Sequence, residues 1–405
     1  MTEVERWGVL EVQVDGPVST VFRHESGESA YAESFQADDR WLIRFMPSLE
    51  GTWHYAPPGS AVAPHAFTCT PATSSGPIRS YGTTLRRADG TAYHPLTTTW
   101  FHLDPTGPGA GDRWAAASRA LAASPFTRVR LRADNPQHLE AQVRDLLAAD
   151  IDAEILLPSD EPAIRDLVNR LAAYRNVSWC LSAIPAARHL AELIAECDSS
   201  NHLIAIHAAP EAVDPGPPWF THLSVPLENL RGVSALHRDY AKPVLVDACG
   251  YEGDGTTPAT SLRPEELLTR IWEGTVRGAH VTHGEWYVGS DGGPWSAGGV
   301  RPTGVVAQRL RLLREVLDEL PDGVEPIDDY RDAPTLAVPG SYYLQYLGEH
   351  QFPERTFTLP TGTYQVDVLD VWNHTVRRTR ETVIDTLTVR LPGTQYQAIQ
   401  IRRAS

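Results

Sequence analysis

Residues 127–158 read TRVRLRADNPQHLEAQVRDLLAADIDAEILLP. A short apolar run, Thr127–Ala133, gives way at Asn135-Pro136 to a pattern with Leu139, Val143, Leu146 and Leu147 on one helical face. A second apolar run, Ala153–Pro158, closes the unit. Strand, helix and parallel strand in this order are the unit of α/β folds. The same alternation extends from about residue 78 to 320. Eight runs can be laid out: Pro95–His102, Thr127–Ala133, Ala153–Pro158, Val177–Ala183, Leu203–Ala208, Thr221–Pro226, Pro243–Ala248 and Ala279–Glu285. Between them lie helical patterns such as GDRWAAASRALAA, EPAIRDLVNRLAAYR, AARHLAELIAEC, RPEELLTRIWEGTVRG and VVAQRLRLLREVLDEL. The connection 209–220 is Pro-rich and has no helical pattern. Eight units in about 240 residues predict a (β/α)8 TIM barrel. A doubly wound open sheet would want a Gly-rich phosphate turn after its first strand. Asp104-Pro105-Thr106-Gly107-Pro108-Gly109 is not G-x-G-x-x-G.

Both flanks read as β structure. WGVLEVQVD alternates near the amino end, and RWLIRFMPSLEGTWHY places two strands around Glu50-Gly51. Thr73–Pro77 is a joint. PDGVEPIDDYRDAP, 321–334, reads as a polar linker before SYYLQYLG, RTFTLP, TYQVDVLDVW, DTLTVRLPG and YQAIQIRR. The predicted fold class is α/β: a TIM barrel over 78–322, flanked by antiparallel β-sandwiches over 1–75 and 333–405.

The 405 residues are 42% hydrophobic and 21% charged with a net charge of −16, an ordinary globular composition that disfavours a nucleic-acid partner. Cys69, Cys180, Cys197 and Cys249 are too scattered for a C-x-x-C motif and read as buried thiols. No basic region followed by an apolar run opens the chain, and no run of eighteen apolar residues occurs, so no signal peptide and no membrane span are expected. A cytoplasmic protein acting on a small-molecule or glycoside ligand without a cofactor is the expectation. The oligomeric state stays open.

In a barrel of this kind the site forms at the carboxyl ends of the strands. Strand one ends in Trp100, Phe101, His102 and Asp104. Strand two is followed by Asp134 and Asn135, strand three by Asp160 and Glu161. Strand five ends at His207, and strand four at Ser182–Pro185 without an acid. The densest cluster follows strands seven and eight: Asp247, Glu252, His283 and Glu285, with Tyr251, Trp286 and Trp295 nearby. Strand periodicity puts His283 and Glu285 on one face, where a carboxylate and an imidazole can exchange protons with a ligand. Their other role is to hydrogen-bond loop backbone and each other. If Ala248 faces the barrel axis, Asp247 points toward the helices. Trp100, His102, Asp160, His207, Tyr251, Trp286 and Trp295 are candidate ligand contacts. No H-x-H pair follows strand one, and neither H-E-x-x-H nor G-x-S-x-G occurs, so neither a catalytic metal nor a nucleophilic serine is expected. Cys249 stands near acids, which raise a thiol pKa.

Several ordered motifs carry a resemblance. They are Val4-Glu5-Arg6-Trp7-Gly8, Arg44–Trp53, Ala88–Leu96, Tyr174–Trp179, Ile204–His207, Trp219–His222, Lys242–Asp247, Gly250–Gly253 and Val281–Glu285. Over nearly its whole length the chain resembles a set of bacterial apiosidase-like glycoside hydrolases of the clan A barrel type. These carry an N-terminal and a C-terminal β-sandwich, each labelled a domain of unknown function. The resemblance implies the same architecture and a sugar-like ligand. It also implies an Asn-Glu pair ending strand four, with the Glu as general acid/base, and an Asp-Glu pair ending strand seven, with the Glu as nucleophile.

Those positions here read Ala183-Ile184 and Asp247-Ala248. A retaining glycosidase needs two carboxylates, and neither isoleucine nor alanine can substitute. The expectation is therefore a glycoside-hydrolase-like barrel that acts on a sugar-containing or similar polar molecule. Acid/base chemistry at strands seven and eight, by Glu285, His283 and Glu252, would replace the standard pair. The alternative is a pseudo-glycosidase that kept the cleft and lost the chemistry. A third reading has Glu252 or Asp247 as nucleophile of an ordinary family enzyme, with Glu192 as the acid nearest strand four.

Overall fold

The computed structural model describes residues 2–56, 65–101, 109–133, 135–212, 214, 216–290, 292–330 and 332–404. Its centre is an eight-stranded parallel sheet. Strands one to eight are Thr97–Thr99, Arg128–Arg132, Asp152–Leu156, Val177–Ser182, Ile204–His207, Leu223–Pro226, Val244–Ala248 and His280–Val281. They pair in chain order. The sheet closes on itself where Thr98 pairs with His283: the Thr99 N–H donates to the His283 carbonyl and the His283 N–H to the Thr97 carbonyl. The expected barrel is present.

The helices are α1 (Ala110–Ala122), α2 (Pro136–Ala148), α3 (Glu161–Leu171), α4 (Ala187–Cys197), α5 (Val233–Tyr240), α6 (Pro264–Val276) and α7 (Val306–Asp318). Local chemistry sets several of their starts. Asn135 accepts the N–H groups of Gln137 and His138 at the head of α2, and Asp160 accepts that of Ala163 at the head of α3. The apolar faces of the helices, including Leu139, Val143, Ile164, Leu167, Ile194, Ile271 and Leu313, bury against the outer side of the barrel.

Three elements depart from the sequence reading. Helix α5 has no clear sequence signal, because VSALHRDY is only eight residues long and buries just Val233 and Leu236. Strand eight ends at Val281, and Glu285–Trp286 leaves the barrel to pair with Glu252–Gly253 in a separate two-stranded parallel sheet. Glu325–Tyr330, inside the stretch read as a linker, is the first strand of the C-terminal sheet.

The N-terminal unit stacks a five-stranded on a three-stranded sheet. Phe22, Phe45, Trp53 and Phe67 fill the space between, with Phe22 and Phe45 stacked at 4.1 Å. The hairpin Ile78–Tyr81/Thr84–Arg87 then lies across the amino ends of the barrel strands. Its Ile78 and Leu85 pack with Tyr93, Leu203 and Leu245, while Arg87 and the Tyr93 hydroxyl bind Asp152 at the foot of strand three. The C-terminal unit joins a six-stranded to a two-stranded sheet over Phe357, Tyr364, Ile399 and Ile401. It docks on α6, where Tyr346 stacks on Trp272 at 5.7 Å.

Candidate functional site

Alternation along the strands decides which side chains enter the barrel. Arg128 and Arg130 of strand two point inward, where Arg130 spans the barrel to Asp247 of strand seven, Nε to Oδ1 3.6 Å. Glu154 of strand three sits between the two arginines: Arg128 Nη2 donates to its Oε1 at 2.8 Å and Arg130 Nε to its Oε2. Asp247 also accepts from Ser224 Oγ at 2.5 Å and Thr282 Oγ1 at 2.7 Å. His207 Nδ1 lies 3.0 Å from Ser224 Oγ. This network thus sets Arg128 and Arg130 against Glu154 and Asp247, charge-balanced and almost wholly buried. Burial opposes ionisation of Glu154, but Arg128 and Arg130 outweigh it and hold the carboxyl well below the usual carboxylate range. Burial, with Arg130 close by, lowers the pKa of His207.

Above this network the mouth opens into two adjoining cavities of about 430 and 470 Å³ that meet at Ile184. Phe101, Arg132 and Ser182 line the first, and Arg188, Asp214 and Trp219 the second. Ser182 is the inward residue at the end of strand four, and Ala183 and Ile184 follow it in the cavity wall.

The predicted cluster at strands seven and eight divides between two places. Asp247 faces into the barrel, not toward the helices. His283 and Glu285 do share a face, as their spacing requires, but it is the outer one. Their outward side is set by Thr282, which reaches Asp247 inside and leaves its neighbours pointing out. Glu285 is fully buried and accepts the N–H groups of Thr303 and Gly304, with the Thr303 hydroxyl adding a third contact. Glu252 is equally buried and accepts the N–H groups of Val305 and Val306 and the Tyr287 hydroxyl. Glu252 therefore caps the amino end of α7, where the free N–H groups and the helix dipole favour negative charge, and Glu285 holds the two residues that lead into it. Burial pushes the Glu285 pKa up to about 7 against the Thr303 and Gly304 N–H bonds, and the Glu252 charge adds to the rise. His283 Nδ1 lies 3.0 Å from Thr98 Oγ1 and its ring 4.9 Å from that of Phe126, and burial pushes its pKa down to about 3.

The predicted ligand contacts divide likewise. His207 and Tyr251 are half-buried beside the interior network. Trp100 and Trp295 are buried in the wall: Trp295 Nε1 donates to Thr98 Oγ1 and Trp100 Nε1 to the Gly299 carbonyl, and the rings meet edge to face. Trp286 belongs to the two-stranded sheet outside the barrel, and Asp160 is the α3 cap. His102, with Asp104 and Asp134, lies outside the described residues. Sequence reading missed Arg128, Arg130, Glu154 and Ser224. Their signal is Arg128-x-Arg130-x-Arg132, where charges alternate with Val129 and Leu131 at strand period.

Residues 331–402 match a family described as a domain of unknown function, DUF5605. None of the curated proteins compared with the chain matches it. Among solved structures, a Bacteroides vulgatus ATCC 8482 protein named as an inferred glycoside hydrolase superposes with a TM-score of 0.87 at 24% identity, covering 100% of both chains. A glycoside hydrolase family 5 protein from the same organism gives 0.66 at 12% identity over 81% of this chain and 93% of that one. A further glycoside hydrolase gives 0.62 at 12% identity over 82% and 97%. The chain thus has the fold of a glycoside-hydrolase-like (β/α)8 barrel with flanking β-sheet units.

Proposed function

We propose that this barrel binds a sugar-like polar small molecule in the mouth cavities and does not run the retaining glycosidase reaction. The observation that carries the reading is the state of the interior acids. Glu154 and Asp247, which face inward, are tied to Arg128, Arg130, Ser224 and Thr282, and Asp152 on the same face of strand three is tied to Arg87 and Tyr93. A nucleophile and a proton donor must reach the glycosidic bond from two sides. At the end of strand four, where the donor would stand, are Ser182, Ala183 and Ile184. The cavities have what a sugar needs instead: the Trp219 and Phe101 rings for an apolar ring face and Arg132 and Ser182 for hydroxyls.

Acid/base chemistry by Glu285, His283 and Glu252 is the less favoured reading. All three are buried behind the barrel wall, with the carboxylates held at the head of α7 and His283 Nδ1 at Thr98. The test pairs calorimetry with kinetics. Mono- and oligosaccharides should bind the wild-type chain and bind Trp219→Ala at least tenfold more weakly. Aryl glycosides of common pyranoses and furanoses should not turn over. Turnover above a few per second that disappears in Asp247→Asn or Glu285→Gln would overturn the proposal.

A further inference from the structure

Glu252, His283 and Glu285 do more than end a helix. One carboxylate oxygen from each glutamate and one imidazole nitrogen lie within 4.8 Å of one another, and all three residues are fully buried. Counting lone pairs shows what is left over. Glu285 Oε1 takes both the Thr303 N–H and its hydroxyl, and Glu252 Oε1 takes both the Tyr287 hydroxyl and the Val305 N–H. Each oxygen is then saturated. Glu285 Oε2 accepts one N–H, from Gly304 at 2.8 Å, and Glu252 Oε2 one, from Val306 at 3.1 Å. Each keeps one lone pair. Thr98 occupies His283 Nδ1, and His283 Nε2 has no hydrogen-bond partner among the described residues.

The two Oε2 atoms flank one point. A Cβ on Gly304 would lie 2.4 Å from that of Glu252 and 2.6 Å from that of Glu285, so only glycine lets both oxygens approach the same stretch of backbone. No cationic side chain among the described residues balances the pair. All partners of the two carboxylates among the described residues are neutral: Tyr287, Thr303, Gly304, Val305 and Val306. A helix amino end supplies roughly half a positive charge. Two ionised carboxylates would carry four times that with opposite sign. Buried charges are paired, protonated or bound to a metal.

We propose that Glu252 Oε2, Glu285 Oε2 and His283 Nε2 hold one divalent transition ion, a structural clasp between the exit of strand eight and the head of α7. Two carboxylate oxygens and one imidazole nitrogen suit Zn²⁺ or Mn²⁺, whereas Ca²⁺ asks for six to eight oxygens. The hydrogen bonds already on each carboxylate are the outer support that fixes ligand orientation in metal sites. The clasp is independent of what binds at the mouth, since none of its residues lines the mouth cavities.

The test begins with the full chain, treated with chelator and then titrated with ZnCl2 and, separately, MnCl2. Calorimetry should give one ion per chain, and the melting temperature should rise by several degrees. Zinc-edge X-ray absorption should report nitrogen and oxygen at about 2.0–2.2 Å and no sulfur at about 2.3 Å. His283→Gln and Glu252→Gln should each weaken ion binding at least a hundredfold and abolish the melting shift. The absorption measurement needs no variant, so it decides the matter even where a variant folds poorly. A chain that binds neither ion, or binds one through sulfur, or binds equally well in both variants, overturns the proposal.

Discussion

Arg130 is the residue whose removal tests the barrel interior most directly. It serves two carboxylates at once, Glu154 through a direct bond and Asp247 at 3.6 Å, and also donates to the Asp247 carbonyl at 3.0 Å. In Arg130→Met the interior keeps Arg128 against two acids, so one negative charge is left uncompensated in a space where Glu154 is 0% and Asp247 2% exposed. Breaking a buried pair in this way costs about 3–5 kcal/mol, mostly because of the charge left behind. Urea unfolding at pH 7, followed by circular dichroism, should show that loss. Repeating it at pH 5 should show less, because an uncompensated buried carboxyl has a raised folded-state pKa. Its neutral form is then the stable one, and the deficit grows as pH rises through that pKa. Arg130→Met/Asp247→Asn restores one arginine to one acid and should recover about 1–3 kcal/mol relative to the sum of the single changes. A single-variant cost below about 1 kcal/mol, or strict additivity in the double, would refute the balanced-network account.

Glu285→Gln places an amide donor against the N–H of Thr303 or Gly304 and should cost about 1–3 kcal/mol while leaving affinity at the mouth unchanged; a variant of normal stability that no longer binds ligand would return Glu285 to the site. Gly284→Ala would set a Cβ 2.1 Å from Tyr251 Cδ1 and should cost about 1–3 kcal/mol, measured by the same unfolding assay, with none lost if the ring simply swings aside. Burial pushes the His94 pKa down to about 4, so the folded chain resists a proton that the unfolded chain accepts near pH 6.5. That contribution is fully present above pH 6.5 and is lost as pH falls toward 4, and a stability profile of His94→Gln should be flatter than wild type across this window.

The fold is legible because its signals are long and repeated: eight apolar runs, helical patterns between them, and alternating strands on both flanks. Short or context-set elements escape such a reading. Helix α5 has eight residues and few apolar ones, and Glu325–Tyr330 gains strand form from its neighbour Ala333–Val338. The candidate site is legible in residue type but not in direction. Spacing places His283 and Glu285 on one face, yet that face is the outer one, and the place of Asp247 reverses with it. A strand has two sides and a sequence of two-residue period does not say which is inner. The deciding fact is tertiary: Thr282 and Asp247 meet inside the barrel, so every second residue from Val281 onward looks out.

The closing seam of the barrel has a consequence for synthesis. Among the described residues, strand eight touches strand one around Thr98 and His283, and beyond that contact Glu285 is held by the head of α7, more than fifteen residues later in the chain. Helix α6 in turn stacks through Trp272 on Tyr346 of the last unit. Domains usually fold as they leave the ribosome, amino end first. The N-terminal sheets can do so, with their own aromatic core. The exit of strand eight, by contrast, lacks its backbone partners at Thr303 and Gly304 until the head of α7 has emerged. A pause in translation between residues 286 and 306 would hold the nascent chain with Glu285 and Glu252 short of the N–H groups that hold them in the finished fold.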